Sequence, residues 1–395
     1  MQHALNGIRV LDVTQVMAGP YCAMLLCDLG ADVVKVEMPP HGDASRRMAG
    51  ARGTDSPAFN AVNRGKRGIV VDMKADRGRE VVVRLAGAAD VFVENARPGV
   101  MDRMGLGYSD LRRVNPGLVY ASISGYGQTG PHGDRGGFDL VAQGVSGIMS
   151  VTGEPGGPPV KAGIPLTDLG AGLFAAIGIL AALQHRARTG EGQHVDTSLV
   201  EAGVALSVWE ATEFFASGQA PRPMGSAHRM SAPYQALACA DGYITIGAAN
   251  DRLFERLCSL LGHTEWSSDP EYADDTVRVA NRQALAARIE AVTKLRPRAH
   301  WLALFEDHGV PCGPINSYAD VFDDEQIAAR EMVVETDHPT LGRLRTLGSP
   351  LKMSRTPPQP GRPAPLLGQH TDDVLREAGY APADVEALRT AGVVR

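Results

Sequence analysis

The chain has 395 residues, which at roughly 150 residues per domain corresponds to two or three domains. Hydrophobic residues make up 44% of the chain and charged residues 21%, and this balance excludes a disordered or low-complexity protein. The net charge of -6 and the 5% of aromatic residues provide neither the basic face nor the stacking surface of a nucleic-acid-binding protein.

The first half of the chain alternates short β-rich runs with helical runs, and this alternation predicts a parallel sheet covered by helices. Pro20 suits the first position of a helix, and Gly30 suits the left-handed residue that ends one. Ligands of such sheets bind beyond the carboxyl ends of the strands, so the turns after the strands are expected to carry function. The predicted strands are residues 8–13, 32–37, 68–72, 90–94 and 118–124, with helices at residues 20–29 and 77–85.

One of these turns, residues 125–130, has the GxGxxG spacing of a dinucleotide-binding loop. That fingerprint needs a helix to begin at the turn, whereas residues 131–137 have the composition of a loop. We therefore expect neither a nicotinamide nor a flavin cofactor.

The five cysteines are scattered without a metal-binding spacing, which predicts reduced thiols, no zinc site and a cytoplasmic location. The first residues have no basic head followed by an apolar run, so no export signal is expected. The longest apolar stretch, residues 171–183, is too short to span a bilayer, and no membrane partner is expected.

Asp168 lies where a loop broken by Pro165 enters the apolar helix predicted at residues 171–185. The N-terminus of a helix favours a carboxylate and keeps it ionised, so Asp168 is a candidate nucleophile. Gly170 and Gly172 would leave room for a substrate beside it. The alternative is that Thr167 or Asp168 only caps the helix.

The second half changes character after a helix that ends near residue 217. A Gly/Pro-rich stretch at residues 218–225 predicts a linker. After it, the pair Asp241 and Gly242 predicts a hairpin between strands at residues 234–240 and 243–248. Thr371 is the expected N-cap of a C-terminal helix, and Gly392 the expected end of the last one. Between the hairpin and Thr371 we predict helices at residues 251–261, 282–295 and 298–308 and short strands between residues 331 and 353.

Dispersed motifs along essentially the whole chain resemble those of the family III CoA-transferases, also called the CaiB/BaiF type. They occur at residues 10–14 (VLDVT), 18–20 (AGP), 28–37 (DLGADVVKVE), 42–43 (GD), 93–95 (VEN), 103–105 (RMG), 125–127 (GYG) and 186–192.

This resemblance implies an α/β fold, with a large domain built on a Rossmann-like parallel sheet and a smaller α+β domain, in an interlocked homodimer. The expected boundaries are residues 1–198, completed by residues 335–395, for the large CoA-binding domain, residues 199–224 for a linker and residues 225–334 for the small domain.

The resemblance also implies that Asp168 is the nucleophile that becomes acylated, with Asp139 nearby for positioning and electrostatics. A helix cap is the alternative role for Asp139. No cofactor is expected to be tightly bound, because CoA thioesters are the substrates. Lys74, Arg97 and Arg103 would supply charge for the phosphates, although each alone also fits a solvated surface charge. The implied CoA-binding residues are Gln15, Val16, Met17, Ala18, Asp72, Met73, Lys74, Asn95, Ala96, Arg97, Arg103, Met104 and Gly136.

Departures from the family pattern bear on the substrates. Formyl-CoA transferases resemble the chain except that they have a Gln at Met17, a Trp near Met48 and a glycine run near residues 227–230. The chain is most similar to the succinyl-CoA:glutarate (hydroxymethylglutarate) CoA-transferases, which implies a succinyl-CoA-like donor and a dicarboxylate acceptor. His228 and Arg229 are candidates to bind the far carboxylate, with an ordinary surface loop as the alternative.

Two other functions stay open. α-Methylacyl-CoA racemases share the fold but use a His and an Asp for proton transfer, and this chain has Phe138 where that His would stand. The second alternative is a protein that binds CoA without catalysis.

Overall fold

The chain forms three β-sheets in a computed structural model, which describes residues 3–51 and 55–395. The strands are β1 (Arg9–Asp12), β2 (Asp32–Glu37), β3 (Arg67–Val70), β4 (Val91–Glu94), β5 (Val119–Ser124), β6 (His194–Ser198), β7 (Tyr234–Cys239), β8 (Gly242–Gly247), β9 (Cys312–Pro314), β10 (Val333–His338) and β11 (Gly342–Leu347).

Helices connect and cover these strands. They are α1 (Ala18–Asp28), α2 (Pro57–Asn63), α3 (Asp76–Gly87), α4 (Val100–Arg103), α5 (Tyr108–Val114), α6 (Asp139–Val145), α7 (Ile148–Val151), α8 (Leu166–Thr189), α9 (Leu199–Leu206), α10 (Val208–Ser217), α11 (Asp251–Leu260), α12 (Asp275–Ala280), α13 (Arg282–Thr293), α14 (Arg298–Asp307), α15 (Tyr318–Asp323), α16 (Glu325–Ala329), α17 (Thr371–Glu377) and α18 (Pro382–Thr390). Single 3-10 turns occur at Ala44–Arg47 and Thr264–Ser268.

The largest sheet has the strand order β3-β2-β1-β4-β5-β6, and every neighbouring pair is parallel. Every residue of β4 and β5 is buried, as expected for central strands with helices on both faces. The strand order reverses between β1 and β4, and sheets of this type bind ligands at that point. The predicted α/β fold with a Rossmann-like sheet is confirmed.

Two apolar cores cover the two faces of this sheet. One joins the sheet to α3 and α5 and also takes in Leu375 and Leu388 from the C-terminal helices α17 and α18. The other packs the sheet against α1 and α8. Val71 forms a β-bridge with Val394, so the chain end is fastened directly after β3.

The chain divides into two compact units. The first contains the six-stranded sheet and comprises Met1–Ile148, Lys161–Ser217 and Glu325–Arg395; the second comprises Met149–Val160 and Gly218–Asp324. The second unit holds the antiparallel sheet β7-β8-β9, and its core includes Phe254, Trp301 and Phe305. The hairpin predicted in it is present, but its two-residue loop consists of Ala240 and Asp241 rather than Asp241 and Gly242, because Cys239 pairs with Gly242 and Gly242 begins β8.

Two local expectations are wrong. Thr371 is the first residue of α17 rather than its N-cap, because its hydroxyl donates to the carbonyl of Gly368 and accepts the N–H of Val70, which ties the helix start to β3. The expectation that the apolar stretch at residues 171–183 is too short to span a bilayer is also wrong. That stretch is part of α8, which has 24 residues and is long and apolar enough to cross a bilayer by length and composition. Half of the most apolar 18-residue window of α8 is buried inside the fold.

Candidate active site

Asp168 lies in the first turn of α8, and a carboxylate from another helix caps that turn. Helix α8 begins at Leu166, five residues before the predicted start. The Oδ1 atom of Asp139 accepts hydrogen bonds from the Thr167 N–H at 2.9 Å and from the Thr167 hydroxyl at 2.8 Å. The N–H of Asp168 points to the same oxygen at 3.5 Å. Neither Thr167 nor Asp168 is the N-cap residue, so the capping alternative for these two residues is wrong.

The Asp168 carboxyl is half-buried, and its pKa is raised to about 6. Loss of hydration is the larger cause, and the negative charge of Asp139 is the second. The sequence predicts a lowered pKa for Asp168 instead, because the helix N-terminus favours the ionised form. Burial and the neighbouring carboxylate outweigh that effect. At neutral pH the group is still mainly ionised, and a carboxylate with a raised pKa is a better nucleophile than an ordinary one.

The glycines beside Asp168 contact protein atoms instead of leaving space. A Cβ at Gly170 would lie 3.0 Å from a methyl carbon of Leu206, and one at Gly172 would lie 2.7 Å from the carbonyl oxygen of Ala18. The prediction that these two glycines leave room for a substrate is therefore wrong. Gly172 instead lets α8 pack against the start of α1, which brings the helix of Asp168 against the first predicted CoA loop.

That loop, residues 15–18, follows β1 and is joined to the loop after β4 at the point where the strand order reverses. The N–H of Gln15 donates to Asn95 Oδ1 at 2.8 Å, and Asn95 Nδ2 donates to the carbonyl of Gln15 at 2.8 Å. Val16 has a φ of 69°, which is a strained conformation for a β-branched residue. Two of the predicted CoA-binding loops are thus in direct contact.

Buried charges hold Val16 in this conformation. Its N–H points at both carboxylate oxygens of Asp43, at 3.2 and 3.3 Å. Lys35 contacts Asp43 at 2.9 Å and donates to the carbonyl of Thr14 at 2.9 Å, and both charged side chains are fully buried. The loop geometry therefore depends on a buried ion pair that lies beneath it.

The loop after β5 also reaches this edge of the sheet. A Cβ at Gly125 would lie 2.7 Å from Gly137 Cα, so the two glycines allow the turn after β5 to contact the segment leading into α6. A Cβ at Gly136 would lie 2.9 Å from Arg97 Nη2. The Arg97 side chain, after β4, therefore lies on the backbone of Gly136.

The remaining predicted CoA residues lie in two places. Asp72, Met73 and Lys74 follow β3; Lys74 is exposed, whereas the side chain of Met73 is buried in the core of the sheet. Arg103 is exposed on α4, close to Gly99, and Met104 packs against the same core as Met73.

The sequence and structure have relatives among known proteins. The family model "CoA-transferase family III" matches residues 5–371. A succinyl-CoA:glutarate CoA-transferase of Mus musculus is 42% identical over 392 residues, covering 99% of this chain and 90% of that protein. A succinyl-CoA:mesaconate CoA-transferase of Haloarcula marismortui is 42% identical over 386 residues, covering 95% of this chain and 96% of that protein. The chain belongs to CoA-transferase family III. The crystal structure of a CaiB/BaiF family protein from Brucella suis is similar, with a TM-score of 0.84 and 41% identity, covering 96% of this chain and 100% of that one.

The candidate substrate residues of this CoA-transferase, His228 and Arg229, lie in the second unit. The guanidinium of Arg282 donates to both of their carbonyl oxygens, at 3.2 and 3.1 Å, and so shapes their loop. The His228 ring packs on Tyr234 with 4.9 Å between centroids, and Arg229 donates to the carbonyl of Arg222.

Two polar residues of the CoA-transferase were missed by the sequence reasoning. Gln143 is fully buried and donates to Asp139 Oδ2 at 2.7 Å. Its position one helical turn after Asp139 was a signal that could have identified it. Glu94 is buried at the end of β4 and accepts the N–H of Ala96 at 2.8 Å, within a predicted CoA loop. It lies in the VEN motif, but its hydrogen bonds are not visible in that motif.

Proposed function

We propose that this CoA-transferase moves CoA from an acyl-CoA donor, such as succinyl-CoA, to a free dicarboxylic acid through covalent intermediates on Asp168. The observation that carries the proposal is the half-buried carboxylate of Asp168, which is next to Asp139 on a helix packed against the loop that follows β1. A half-buried carboxylate with a raised pKa at the carboxyl edge of a parallel sheet is suited to nucleophilic catalysis.

The reaction would proceed in four balanced steps. A carboxylate oxygen of Asp168 attacks the thioester carbonyl, the C–S bond breaks, and a mixed anhydride and CoA thiolate form. The thiolate then attacks the Asp168 carbonyl carbon and releases the donor acid, which leaves an aspartyl-CoA thioester. The acceptor carboxylate attacks this thioester to give a second anhydride and CoA thiolate. Attack of the thiolate on the acceptor's carbonyl carbon forms the new acyl-CoA and regenerates the Asp168 carboxylate.

We propose that CoA lies along the three predicted loops, at residues 15–18, 72–74 and 95–97, with Arg103, Met104 and Gly136 beside them. The contact between Gln15 and Asn95 supports this, because it joins two of the loops at the reversal of strand order. Lys74, Arg97 and Arg103 would neutralise the phosphates.

A dicarboxylate acceptor is supported by the relatives, since glutarate and mesaconate both carry a second carboxylate. We assign the binding of that group to His228 and Arg229, which would supply its cationic partner. The bond from Arg282 to their carbonyls supports a fixed shape for this loop.

An interlocked homodimer is part of the same proposal. The larger unit exposes apolar side chains on α6, α8 and α10, and these include Val145, Ile177, Val208 and Phe215, the last 80% exposed. Monomeric proteins rarely leave so many large apolar groups in water, so a second copy would cover them. Sedimentation equilibrium should then give twice the chain mass of 41.9 kDa. The unpaired state of all five cysteines supports a cytoplasmic location.

The decisive experiment incubates the protein with succinyl-CoA and separate free acids, among them glutarate, mesaconate, malate, oxalate and carnitine, and measures new acyl-CoA by mass spectrometry. The peptide containing Asp168 is also searched for a CoA adduct after rapid acid quench. We expect transfer to dicarboxylates, a CoA adduct on Asp168, and loss of both in Asp168→Ala. Asp110→Ala, in the first turn of α5, is the matched control and should retain activity.

Two outcomes would contradict the proposal. Transfer that persists in Asp168→Ala would remove Asp168 from the reaction. Exchange of the α-proton of a 2-methylacyl-CoA with solvent deuterium, without CoA transfer, would establish the racemase alternative. Phe138, at the position of the racemase histidine, is 79% exposed and carries no group that transfers a proton.

A further inference from the structure

Gln143 is a buried amide that connects Asp139 to the loop before the nucleophile. Its side chain is on α6 and is fully buried. Besides donating to Asp139, its Nε2 atom donates to the carbonyl of Ile164 at 3.3 Å, and its Oε1 atom accepts the N–H of Ala162 at 2.9 Å. One side chain thus satisfies two backbone groups of the segment that enters α8.

These partners determine which way the amide points. A backbone N–H can only donate and a carbonyl can only accept, so Oε1 must face Ala162 and Nε2 must face Ile164. Nε2 is then the atom presented to the carboxylate of Asp139. The reversed amide would place oxygen against oxygen at Asp139 and lose both backbone bonds.

Asp139 transmits this constraint to the nucleophile. Its Oδ2 atom accepts from Gln143, while its Oδ1 atom accepts from both the N–H and the hydroxyl of Thr167. The carboxylate plane is therefore fixed from both ends, next to the N–H of Asp168. Hydrogen bonds to a charged group in a buried setting are among the stronger ones.

We propose that Gln143 is a positioning residue for CoA transfer, which holds the Asp139 carboxylate and the loop at residues 162–164 so that the Asp168 carboxylate is presented to the thioester in a single orientation. The inference rests on the proposed function, because it presupposes that Asp168 is acylated. Gln143 acts through Asp139 and contacts no reacting atom itself.

A purely structural role predicts a different result. If Gln143 only filled space and satisfied backbone groups, its loss would lower stability and the amount of folded enzyme, while the folded fraction would react at the normal rate. If it positions Asp139, the chemical step slows in protein that is fully folded, and the Michaelis constant for acyl-CoA changes little.

The experiment compares Gln143→Leu and Gln143→Glu with the wild type. It measures the rate of CoA-adduct formation on Asp168 at saturating succinyl-CoA, the Michaelis constant for succinyl-CoA, and urea unfolding. For Gln143→Leu we expect the rate to fall about tenfold to hundredfold, the loss expected when a buried charged hydrogen bond is removed. Gln283, exposed on α13, receives the same two substitutions as the matched control and should not change the rate.

Gln143→Glu tests the hydrogen bond to Asp139 directly, and it replaces Gln143→Leu as the test if the leucine variant does not fold. The introduced carboxyl can donate to Asp139 only while the two share a proton, so the ratio of variant to wild-type rate should rise as the pH falls. Among the described residues, charged groups near this place include Asp168 on α8 and Lys161, which donates to the carbonyl of Ala162. Glu201 on the packed helix α9 is engaged by Ser198. Because the added carboxyl also shifts the pKa of Asp168, the rate of each protein is corrected for its own Asp168 titration before the ratio is taken.

The outcomes separate the two proposals. A wild-type enzyme without a CoA adduct on Asp168 would refute the proposed function, whatever the variants do. A wild type with the adduct, together with a folded Gln143→Leu that forms it at the normal rate, would refute the positioning role alone. A pH-independent rate ratio for Gln143→Glu would also overturn it.

Discussion

Glu94→Gln should stabilise the protein in mildly alkaline solution without affecting it in mild acid. Glu94 is buried, and burial is the main reason that its pKa rises from the usual 4.5 to about 7; hydrogen bonds from Ser122 and Ala96 offset part of this effect. Glutamine has the same shape. Its oxygen can accept the Ala96 N–H and its NH₂ can donate to Ser122, whose hydroxyl is 2.9 Å from His194 Nε2.

The magnitude follows from proton linkage. Between pH 4.5 and about 7 the folded state keeps the Glu94 proton and the unfolded state loses it, so stability falls as the pH rises through this range. At about 1.4 kcal/mol for each pH unit, the full loss is about 3–4 kcal/mol. The variant has no such proton, so its advantage should be absent near pH 4.5 and approach this value above about pH 7.

Urea unfolding followed by circular dichroism, measured between about pH 5 and pH 8, tests this expectation. Glu80→Gln, at an exposed position on α3, is the control, and its stability curve should follow that of the wild type. A stability difference between Glu94→Gln and wild type that stays constant over the pH range would refute the reasoning, because it would mean that Glu94 titrates alike in both states.

Three further expectations concern the candidate nucleophile, the loop after β1 and the packing of α8. The wild-type kcat/KM should rise with pH through about 6, because Asp168 must lose its proton to attack; a flat profile on both sides of that pH would contradict this role. Lys35→Met should cost about 3–5 kcal/mol in urea unfolding by leaving the buried Asp43 carboxylate without its ion-pair partner, and should raise the KM for acyl-CoA by releasing the loop at residues 15–18. Lys294→Met, at an exposed ion pair, should change neither quantity, and equal effects of the two variants would mean that the Lys35–Asp43 ion pair does not hold the loop. Gly172→Ala should cost about 1–3 kcal/mol because its Cβ meets a carbonyl oxygen at 2.7 Å. Gly361→Ala is the control, because a Cβ at Gly361 meets no atom within 4 Å, and it should leave the free energy of unfolding nearly unchanged. Equal free energies of unfolding for the two variants would show that α8 can move away from α1 without loss of stability.

Much of the architecture follows from the sequence, because periodicity and turn residues act over short distances. Alternating β and helical runs predict the parallel sheet, and β2 occupies the predicted residues 32–37. Helix α1 ends where Gly30 predicts, since the left-handed φ of 103° that follows it suits glycine. The motifs resemble one family over the whole chain, and the family match at residues 5–371 confirms that assignment.

The surroundings of Asp168 could not be predicted in this way, because they come from residues distant in the chain. Helix α8 starts early since Asp139, about 30 residues before it, supplies the cap, and no local rule anticipates that partner. In the sequence, Gly172 predicts open space beside the helix, whereas in the fold the start of α1 occupies that space. The sequence by itself determined the fold class, the family and the identity of the candidate nucleophile, which depend on local pattern and motif order. Only the tertiary structure decided that the pKa of Asp168 is raised, because its burial and its proximity to the charge of Asp139 arise only once the helices have packed.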